Sequence, residues 1–155
     1  MLHRIWNVAL PLVIAMILAS WADADQAPFE QVKGWLDANE LKYATTEKNE
    51  IVLAFEGDTI SRVDIIVGFS EAFIHLSVPV GGIPANPGAD YYAKLIELTG
   101  SIPMIKPYID KERFLYVVID FPLAGISEQE VVDDIALLVE FADMHSGELY
   151  PWKEE

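Results

Sequence analysis

One stretch of the chain, residues 113–144, encodes a strand, a turn and a helix in immediate succession. Its first part, Phe114 to Phe121, is mostly apolar and rich in β-branched and aromatic side chains, which is typical of a strand. A proline and a glycine then mark a turn. Ser127 and Glu130 follow at the spacing of a capping box, in which each side chain satisfies the other residue's backbone N–H. This stretch predicts a terminal helix packed on a sheet.

The predicted terminal helix carries apolar side chains at helical spacing, which predicts a buried stripe. The stripe comprises Val131, Val132, Ile135, Leu138, Val139 and Ala142. A second apolar edge beside it comprises Leu137, Phe141 and Met144. The acidic side chains left for the solvent side are Asp133, Asp134, Glu140 and Asp143. Gly147 predicts the end of the helix.

Hydrophobic periodicity predicts the remaining elements. They are a helix from Pro28 to about residue 41, a hairpin over 43–55, strands over 62–69 and 73–80, a helix from 86 to 100, and strands over 104–109 and 114–121. The order is α-β-β-β(-β)-α-β-β-α, with short links that favour antiparallel pairing. We therefore predict an α+β fold in which helices pack on an antiparallel sheet, in a single domain.

Three local expectations concern the middle of the chain. Alternation over 73–80 predicts that Phe73, His75 and Ser77 share one face of their strand and that the intervening apolar side chains share the other. Pro79 predicts that this strand ends or lies at an edge. Asn86 and Pro87 predict the cap and first position of the second helix. Its predicted apolar face is Tyr91, Tyr92, Leu95, Ile96 and Leu98.

Composition excludes several classes of function. The chain of 155 residues has 25 acidic and 10 basic residues, so its formal net charge is -15. Nucleic-acid binding requires basic patches and is therefore excluded. The same balance disfavours docking on anionic membranes. Hydrophobic residues make up 52% of the chain, which is ample for a core and argues against disorder.

The N-terminal 24 residues have the form of a secretory signal peptide. Arg4 provides a basic start, an apolar run follows over residues 8–19, and Ala22-Asp23-Ala24 gives a small-x-small cleavage pattern. The apolar run is shorter than the roughly 20 residues that span a bilayer as a helix. We predict a signal peptide over 1–24 and an exported domain over 25–155, periplasmic or extracellular. The alternative is an uncleaved N-terminal anchor.

The second half of the chain resembles the YbjN-type domain, which is described as a bacterial sensory transduction regulator, and more broadly the type III secretion chaperone-like fold. The resemblance rests on the helix end Lys94 to Leu98, the strand Ile105 to Asp110, the strand Phe114 to Phe121 and the turn Pro122 to Ser127. It covers about the last 70 residues well and the first half in element order. The resemblance implies a non-enzymatic, protein-binding domain that is often dimeric.

The residues themselves indicate little site chemistry. Gly68 to Ala72 is similar to the nucleophile elbow G-x-S-x-G, which needs a helix after its serine. A second strand is predicted there, so we interpret Ser70 as a turn serine. The chain has no cysteine, which excludes disulfides and cysteine-ligated metals. His145 does not share a face with Glu140 and Asp143 at ligand spacing. We predict no catalytic residue, no metal and no cofactor.

Two functions follow from these patterns. The first is an exported, non-catalytic module, chaperone-like or regulatory, that binds a protein partner and forms a homodimer. Tyr92 and Trp152 are its candidate partner-binding residues, because aromatic side chains are enriched at interface hot spots. The alternative is an exported small-ligand-binding or hydrolytic domain with a pocket near His75, Tyr91 and Tyr92, in which His75 meets a carboxylate.

Overall fold

The computed structural model describes residues 27–149 apart from residue 84. The strands in this part of the chain are β1 (Tyr43–Thr45), β2 (Ile51–Phe55), β3 (Val63–Phe69), β4 (Phe73–Gly82), β5 (Lys106–Ile109) and β6 (Phe114–Pro122). The helices are α1 over residues 27–38, α2 (Ala89–Gly100), α3 (Glu128–Met144) and α4 (Ser146–Leu149). The predicted signal peptide and Trp152 lie outside the described residues.

The strands form one antiparallel sheet in the order β1-β2-β3-β4-β6-β5. The helices pack on one face of this sheet, which confirms the predicted α+β class and element order. Burial alternates along β3 and β4, so that Ile74, Leu76 and Val78 enter the core while His75 and Ser77 point to the other face. The face assignment over 73–80 is therefore correct.

The strand containing Pro79 neither ends there nor lies at the edge of the sheet. It continues to Gly82 and pairs with β6 along its whole length, with a bulge between Pro79 and Gly81. Its pairing with β3 stops at Ser77. Along a strand, the backbone N–H and C=O groups point alternately to one neighbouring strand and to the other. Pro79 is opposite Tyr116 in a pair that makes no hydrogen bonds between β4 and β6, so the nitrogen of Pro79 faces the side of β3. Because the pairing with β3 has already stopped, the lack of an N–H on Pro79 removes no hydrogen bond of the sheet.

The second helix begins later than predicted. Its N-cap is Gly88, with φ of 82°, and no side chain caps it, so Asn86 is not the cap. Leu95, Leu98 and Thr99 are buried, whereas Ile96 is 66% exposed. One residue corresponds to about 100° around a helix, so Ile96 is turned away from the core that Leu95 enters.

The last long helix begins where predicted but ends at Met144, and Gly147 lies within α4. Ser127 Oγ accepts from the Glu130 N–H, and the Glu130 carboxylate accepts from the Ser127 N–H, so the capping box is complete. Val131, Ile135, Leu138 and Ala142 are buried, but so is Phe141, which the sequence assigned to a flanking edge. Across the described residues, no helix has the length and apolar character needed to cross a membrane.

Candidate functional site

One face of the sheet carries no helix in the part of the chain that the structure describes. We call it the open face. Strand alternation and register place on it Val52, Ala54, Asp64, Ile66, Gly68, Phe73, His75, Ser77, Lys106, Tyr108, Phe114, Tyr116, Val118 and Asp120. Most of these side chains are half-buried or exposed, in contrast to the fully buried side chains on the opposite face. The candidate site lies here.

Three aromatic side chains line the open face where β5 pairs with β6. The ring centroids of Phe114 and Tyr116 are 5.2 Å apart, and those of Tyr108 and Tyr116 are 6.1 Å apart. We call these three residues the aromatic strip. Tyr108 is 55% exposed and Phe114 36% exposed. Phe73, at the far end of β4, is 44% exposed on the same face.

A chain of polar contacts crosses the open face beside the aromatic strip. His75 Nδ1 lies 2.6 Å from Asp120 Oδ1, and His75 Nε2 lies 3.1 Å from Ser70 Oγ. Lys106 Nζ pairs with the second oxygen, Asp120 Oδ2. The Phe73 N–H donates to Ser70 Oγ at 3.2 Å. We call Ser70, His75, Asp120 and Lys106 the polar chain.

The register of the sheet assembles the polar chain from four separate elements. His75 of β4 is directly opposite Asp120 of β6, although 45 residues separate them. Lys106 comes from β5, and its partner across the ladder is Val118, two residues before Asp120 on the same face. Ser70 stands in the turn between β3 and β4, where its N–H donates to the Phe73 carbonyl. The side chains converge because their strands are neighbours.

The electrostatics of the polar chain keep Asp120 ionised. Partial burial raises the pKa of Asp120, but the hydrogen bonds from Lys106 and His75 outweigh it and hold the pKa below the ordinary range. An ionised carboxylate only accepts hydrogen bonds, so His75 Nδ1 carries the hydrogen that it shares with Asp120. In neutral His75 the other nitrogen, Nε2, can then accept from the Ser70 hydroxyl, whose second possible acceptor is the Phe73 carbonyl oxygen at 3.3 Å.

A hollow lies next to the polar chain, because Gly68 places no side chain on the open face. Gly68 is directly opposite His75, and on its other side lies Glu50, which precedes the first residue of β2. The hollow has a volume of about 610 Å³ and includes Ser70 in its lining. A neighbouring groove of about 520 Å³ runs toward the aromatic strip, and Glu50 and His75 line both.

The carboxylates of the open face have partners close by. Asp64 pairs with Arg62 Nε at 2.8 Å, and Glu50 accepts from Thr46 Oγ1 at 3.1 Å. Asp120 has the contacts given above. Helix α3, on the other side of the molecule, differs, because it contains six acidic residues and no lysine or arginine. The acidic charge of α3 therefore lies away from the open face.

The predicted pocket near His75, Tyr91 and Tyr92 does not form as one site. Tyr91 and Tyr92 stack edge to face on α2 and pack against the core on the helix side of the sheet, so the sheet separates them from His75. Burial, with a smaller contribution from Tyr92, raises the pKa of Tyr91 to about 12. The expected meeting of His75 with a carboxylate does occur, with Asp120 as the carboxylate.

Sequence reasoning missed three contacts at this site, those of Ser70 with His75 and of Asp120 with His75 and Lys106. It treated Ser70 as a turn serine only, and it did not pair Asp120 with His75 or Lys106. The turn assignment is correct, since Ser70 and Phe73 close a hairpin. Strand alternation alone placed His75 outside the core, but neither its neighbour nor the side-chain contact follows from local pattern. Among the described residues, no group of three or more potential metal ligands converges.

The comparisons identify the fold and no more. No family model matches the sequence, and no curated protein matches it either. YbjN from E. coli, a candidate transcription regulator, is 13% identical with a TM-score of 0.56, covering 76% of this chain and 92% of its own. A chain of the heterodimeric ExoU-SpcU complex from the type III secretion system of Pseudomonas aeruginosa is 17% identical with a TM-score of 0.50, covering 76% and 93%.

The fold is that of YbjN and the type III secretion chaperones. The resemblance read from the helix end, the two strands and the turn of residues 94–127 is thereby confirmed as a statement about fold. At these identities the likeness carries no residue role from either neighbour to this chain.

Proposed function

We propose that this domain is an exported module that binds a protein partner on the open face of its sheet. The observation that carries the proposal is the aromatic strip, together with Phe73, exposed on a sheet face that no described helix covers. Aromatic side chains are enriched in the cores of protein interfaces, where they provide large contact areas at small entropic cost. The ExoU-SpcU neighbour, which is a heterodimeric complex, supports a protein as the partner.

The charge distribution also favours this face as the binding surface. Interface cores are depleted in unpaired charge, because each charge must lose water on binding. The acidic side chains of the open face already have partners in Arg62, Thr46, His75 and Lys106. A partner covering this face therefore desolvates few free carboxylates. Helix α3 carries six acidic residues and no lysine or arginine, so covering its surface would bury a larger net charge.

The size of the open face sets the kind of partner. Six strands at about 4.8 Å spacing are roughly 24 Å wide, and seven residues of strand are roughly 23 Å long. The projected area is on the order of 500 Å², below the roughly 800 Å² that each partner buries in a standard interface. A segment of a partner protein, or a small domain face, fits this surface.

The test compares substitutions on and off the open face. The double variant Tyr108→Ser, Phe114→Ser removes two exposed aromatic rings, and the control Ile96→Ser, Met144→Ser removes two apolar side chains that are 66% and 62% exposed elsewhere. Tagged proteins are used to capture partners from the envelope fraction, and captured proteins are quantified by mass spectrometry. We expect a specific partner to bind the wild type and the control, and to bind the open-face variant at least tenfold less.

Equal capture by the two variants would contradict the assignment of the binding surface. A homodimer is a second form of the same proposal, and its test is the mass in solution by light scattering. Two copies would bring together formal charges of -15 each, so any dimer should strengthen as salt rises.

Export is the remaining part of the proposal. It rests on the form of residues 1–24. Expression of the full chain with a C-terminal tag, followed by cell fractionation and determination of the mature N-terminus, tests it. Recovery from the periplasm with Asp25 as the first residue supports export and cleavage. Recovery of the intact chain from the cytoplasm contradicts it.

A further inference from the structure

We propose that Ser70 is an activated nucleophile that accepts acyl groups from small esters, with His75 as its general base and Asp120 as the positioning residue for His75. This inference goes beyond the binding function proposed above. It depends on the polar chain and the hollow at Gly68, whereas the binding proposal depends on the aromatic strip. Each can therefore fail without the other.

The geometry satisfies the two contacts that an activated serine needs. The nucleophile lies within hydrogen-bond reach of the base, since Ser70 Oγ is 3.1 Å from His75 Nε2. The base is oriented by a third group, since His75 Nδ1 is 2.6 Å from Asp120 Oδ1. The ionised Asp120 places the hydrogen of neutral His75 on Nδ1, so Nε2 can accept from the Ser70 hydroxyl, which also lies 3.3 Å from the Phe73 carbonyl oxygen.

Two further contacts support the same assignment. Lys106 binds the other oxygen of Asp120, which leaves Oδ1 directed at His75 and favours the ionised carboxylate. The Phe73 N–H donates to Ser70 Oγ at 3.2 Å, which holds the hydroxyl group in the turn beside His75. Ser70 itself is exposed, and an incoming ester can reach it.

The hollow beside Ser70 provides room for the acyl group. Gly68 forms part of its lining, and a Cβ at that position would meet only His75 Cβ, at 3.9 Å. The hollow also contains Lys48 and Asn49 as hydrogen-bond donors. At about 610 Å³ it is large enough for a short acyl chain and its leaving alcohol.

The proposed reaction needs only Ser70, His75, the ester and water. Ser70 Oγ bonds to the ester carbonyl carbon while its proton passes to His75 Nε2. The bond from that carbon to the alcohol oxygen then breaks, and the proton on Nε2 passes to the departing alcohol. The products are acyl-Ser70 and a free alcohol. Water, activated by the same His75 nitrogen, returns the serine and releases the acid.

The first test uses the absence of cysteine from the chain. The variant Ser70→Cys provides one thiol, and Ser61→Cys provides a matched control in an exposed bend. A thiol beside a histidine base has a lowered pKa and reacts faster at mildly acidic pH. At pH 6 we expect iodoacetamide to alkylate the Ser70→Cys thiol about tenfold faster than the Ser61→Cys thiol.

The base and its positioning residue are tested in the same background. Adding His75→Gln or Asp120→Asn should abolish the rate advantage of the Ser70→Cys thiol and return its pH profile to that of the control. Thermal unfolding of each variant is recorded, because a role limited to stabilising the turn would lower the melting temperature without changing the alkylation profile. Equal alkylation rates at positions 70 and 61 would overturn the proposal.

The second test uses the native serine with p-nitrophenyl acetate as the acyl donor. We expect p-nitrophenol release and an acetyl group on the peptide containing Ser70, both lost in Ser70→Ala and His75→Gln. Gly68→Val, which places an isopropyl group in the hollow beside His75, should reduce acetylation at least fivefold. Acetylation confined to lysine side chains, or unchanged in Ser70→Ala, would overturn the proposal. Loss of acetylation with partner capture intact would leave the binding function standing.

Discussion

Asp143 shows how much a single side chain can decide in this fold. By pattern it is a solvent-facing acid near the end of α3. In the structure its two carboxylate oxygens accept hydrogen bonds from the backbone N–H groups of Asp58, Thr59 and Ile60, each at 2.9 Å. These bonds, led by that from Ile60, outweigh the effect of burial and lower the pKa of Asp143. The loop between β2 and β3 is thereby tied to the terminal helix.

Two glycines should respond in opposite directions to the same substitution. A Cβ on Gly57 would lie 2.7 Å from the Ile60 carbonyl oxygen and would also meet the Asp143 carboxyl group. Gly57→Ala should therefore lower the free energy of unfolding by about 1–3 kcal/mol, because the loop must shift. Gly34 lies in α1 with open space around it, so Gly34→Ala should raise it by about 0.5–1 kcal/mol.

Urea denaturation of both variants measures the two changes. The Gly34 variant serves as the control for the effect of an added methyl group on the unfolded chain. A Gly57 variant that is as stable as the wild type would mean that the loop is not held against the helix in this way.

At the scale of elements, start signals and alternation were the most reliable guides. The capping box of Ser127 and Glu130 placed the start of α3 correctly, because both of its bonds are local. Asn86 misplaced α2, because the chain passes through Gly88 at positive φ before the helix begins. The prediction that Pro79 ends its strand or lies at an edge was wrong, because the proline alone does not show that the pairing with β3 stops at Ser77. A sequence signal places an element correctly when the hydrogen-bond partners on which it depends lie within a few residues of each other.

The cap of α3 should be worth a measurable part of the stability. Ser127→Ala removes the acceptor for the Glu130 N–H and the hydroxyl that donates to Glu130 Oε2. The expected loss is about 1 kcal/mol in the free energy of unfolding. Urea denaturation measures it, with Ser61→Ala, on an exposed bend, as a control expected to change by less than about 0.5 kcal/mol. Equal effects of the two substitutions would argue against the cap.

At the scale of the whole molecule, two faces of one sheet have different roles. The covered face forms the core, from buried side chains of all four helices and the inward side chains of the strands. The open face holds the aromatic strip and the polar chain, and its carboxylates have partners. The acidic excess of the chain lies largely elsewhere, including along α3. The proposed binding surface and the acid-rich surface of α3 are therefore different parts of the molecule.

The dependence of stability on pH should have a maximum in the mildly acidic range. From pH 8 to about 5, protonation of some surface carboxylates relieves the repulsion implied by a charge of -15, so the melting temperature should rise slightly. Asp120, Glu130 and Asp143 have lowered pKa values in the folded chain. The stability they contribute is present above the ordinary carboxyl pKa, about 4, and is lost as pH falls through their lowered values.

Asp134 acts in the opposite direction. Burial, then Asp133 and Glu130, raises its pKa, so its protonation at low pH relieves a cost to the fold. Three lowered groups against one raised group predict a falling melting temperature below about pH 4. Thermal unfolding from pH 8 to 3 measures this. The Asp143→Asn variant should show a smaller fall in melting temperature below about pH 4. A melting temperature that still rises at pH 3 would contradict the assignment.

The sequence by itself determined the elements, the α+β class, and which side chains of each strand point to the core. These properties depend on periodicity, caps and turns, which act over a few residues. Only the tertiary structure decided that β4 lies between β3 and β6. That placement sets His75 beside Asp120 and brings Lys106 from β5 to the same carboxylate. Tyr91 and Tyr92 lie on the opposite face of the sheet, which the helices cover. Strand order depends on how distant segments bury their apolar faces together, and no local pattern encodes it.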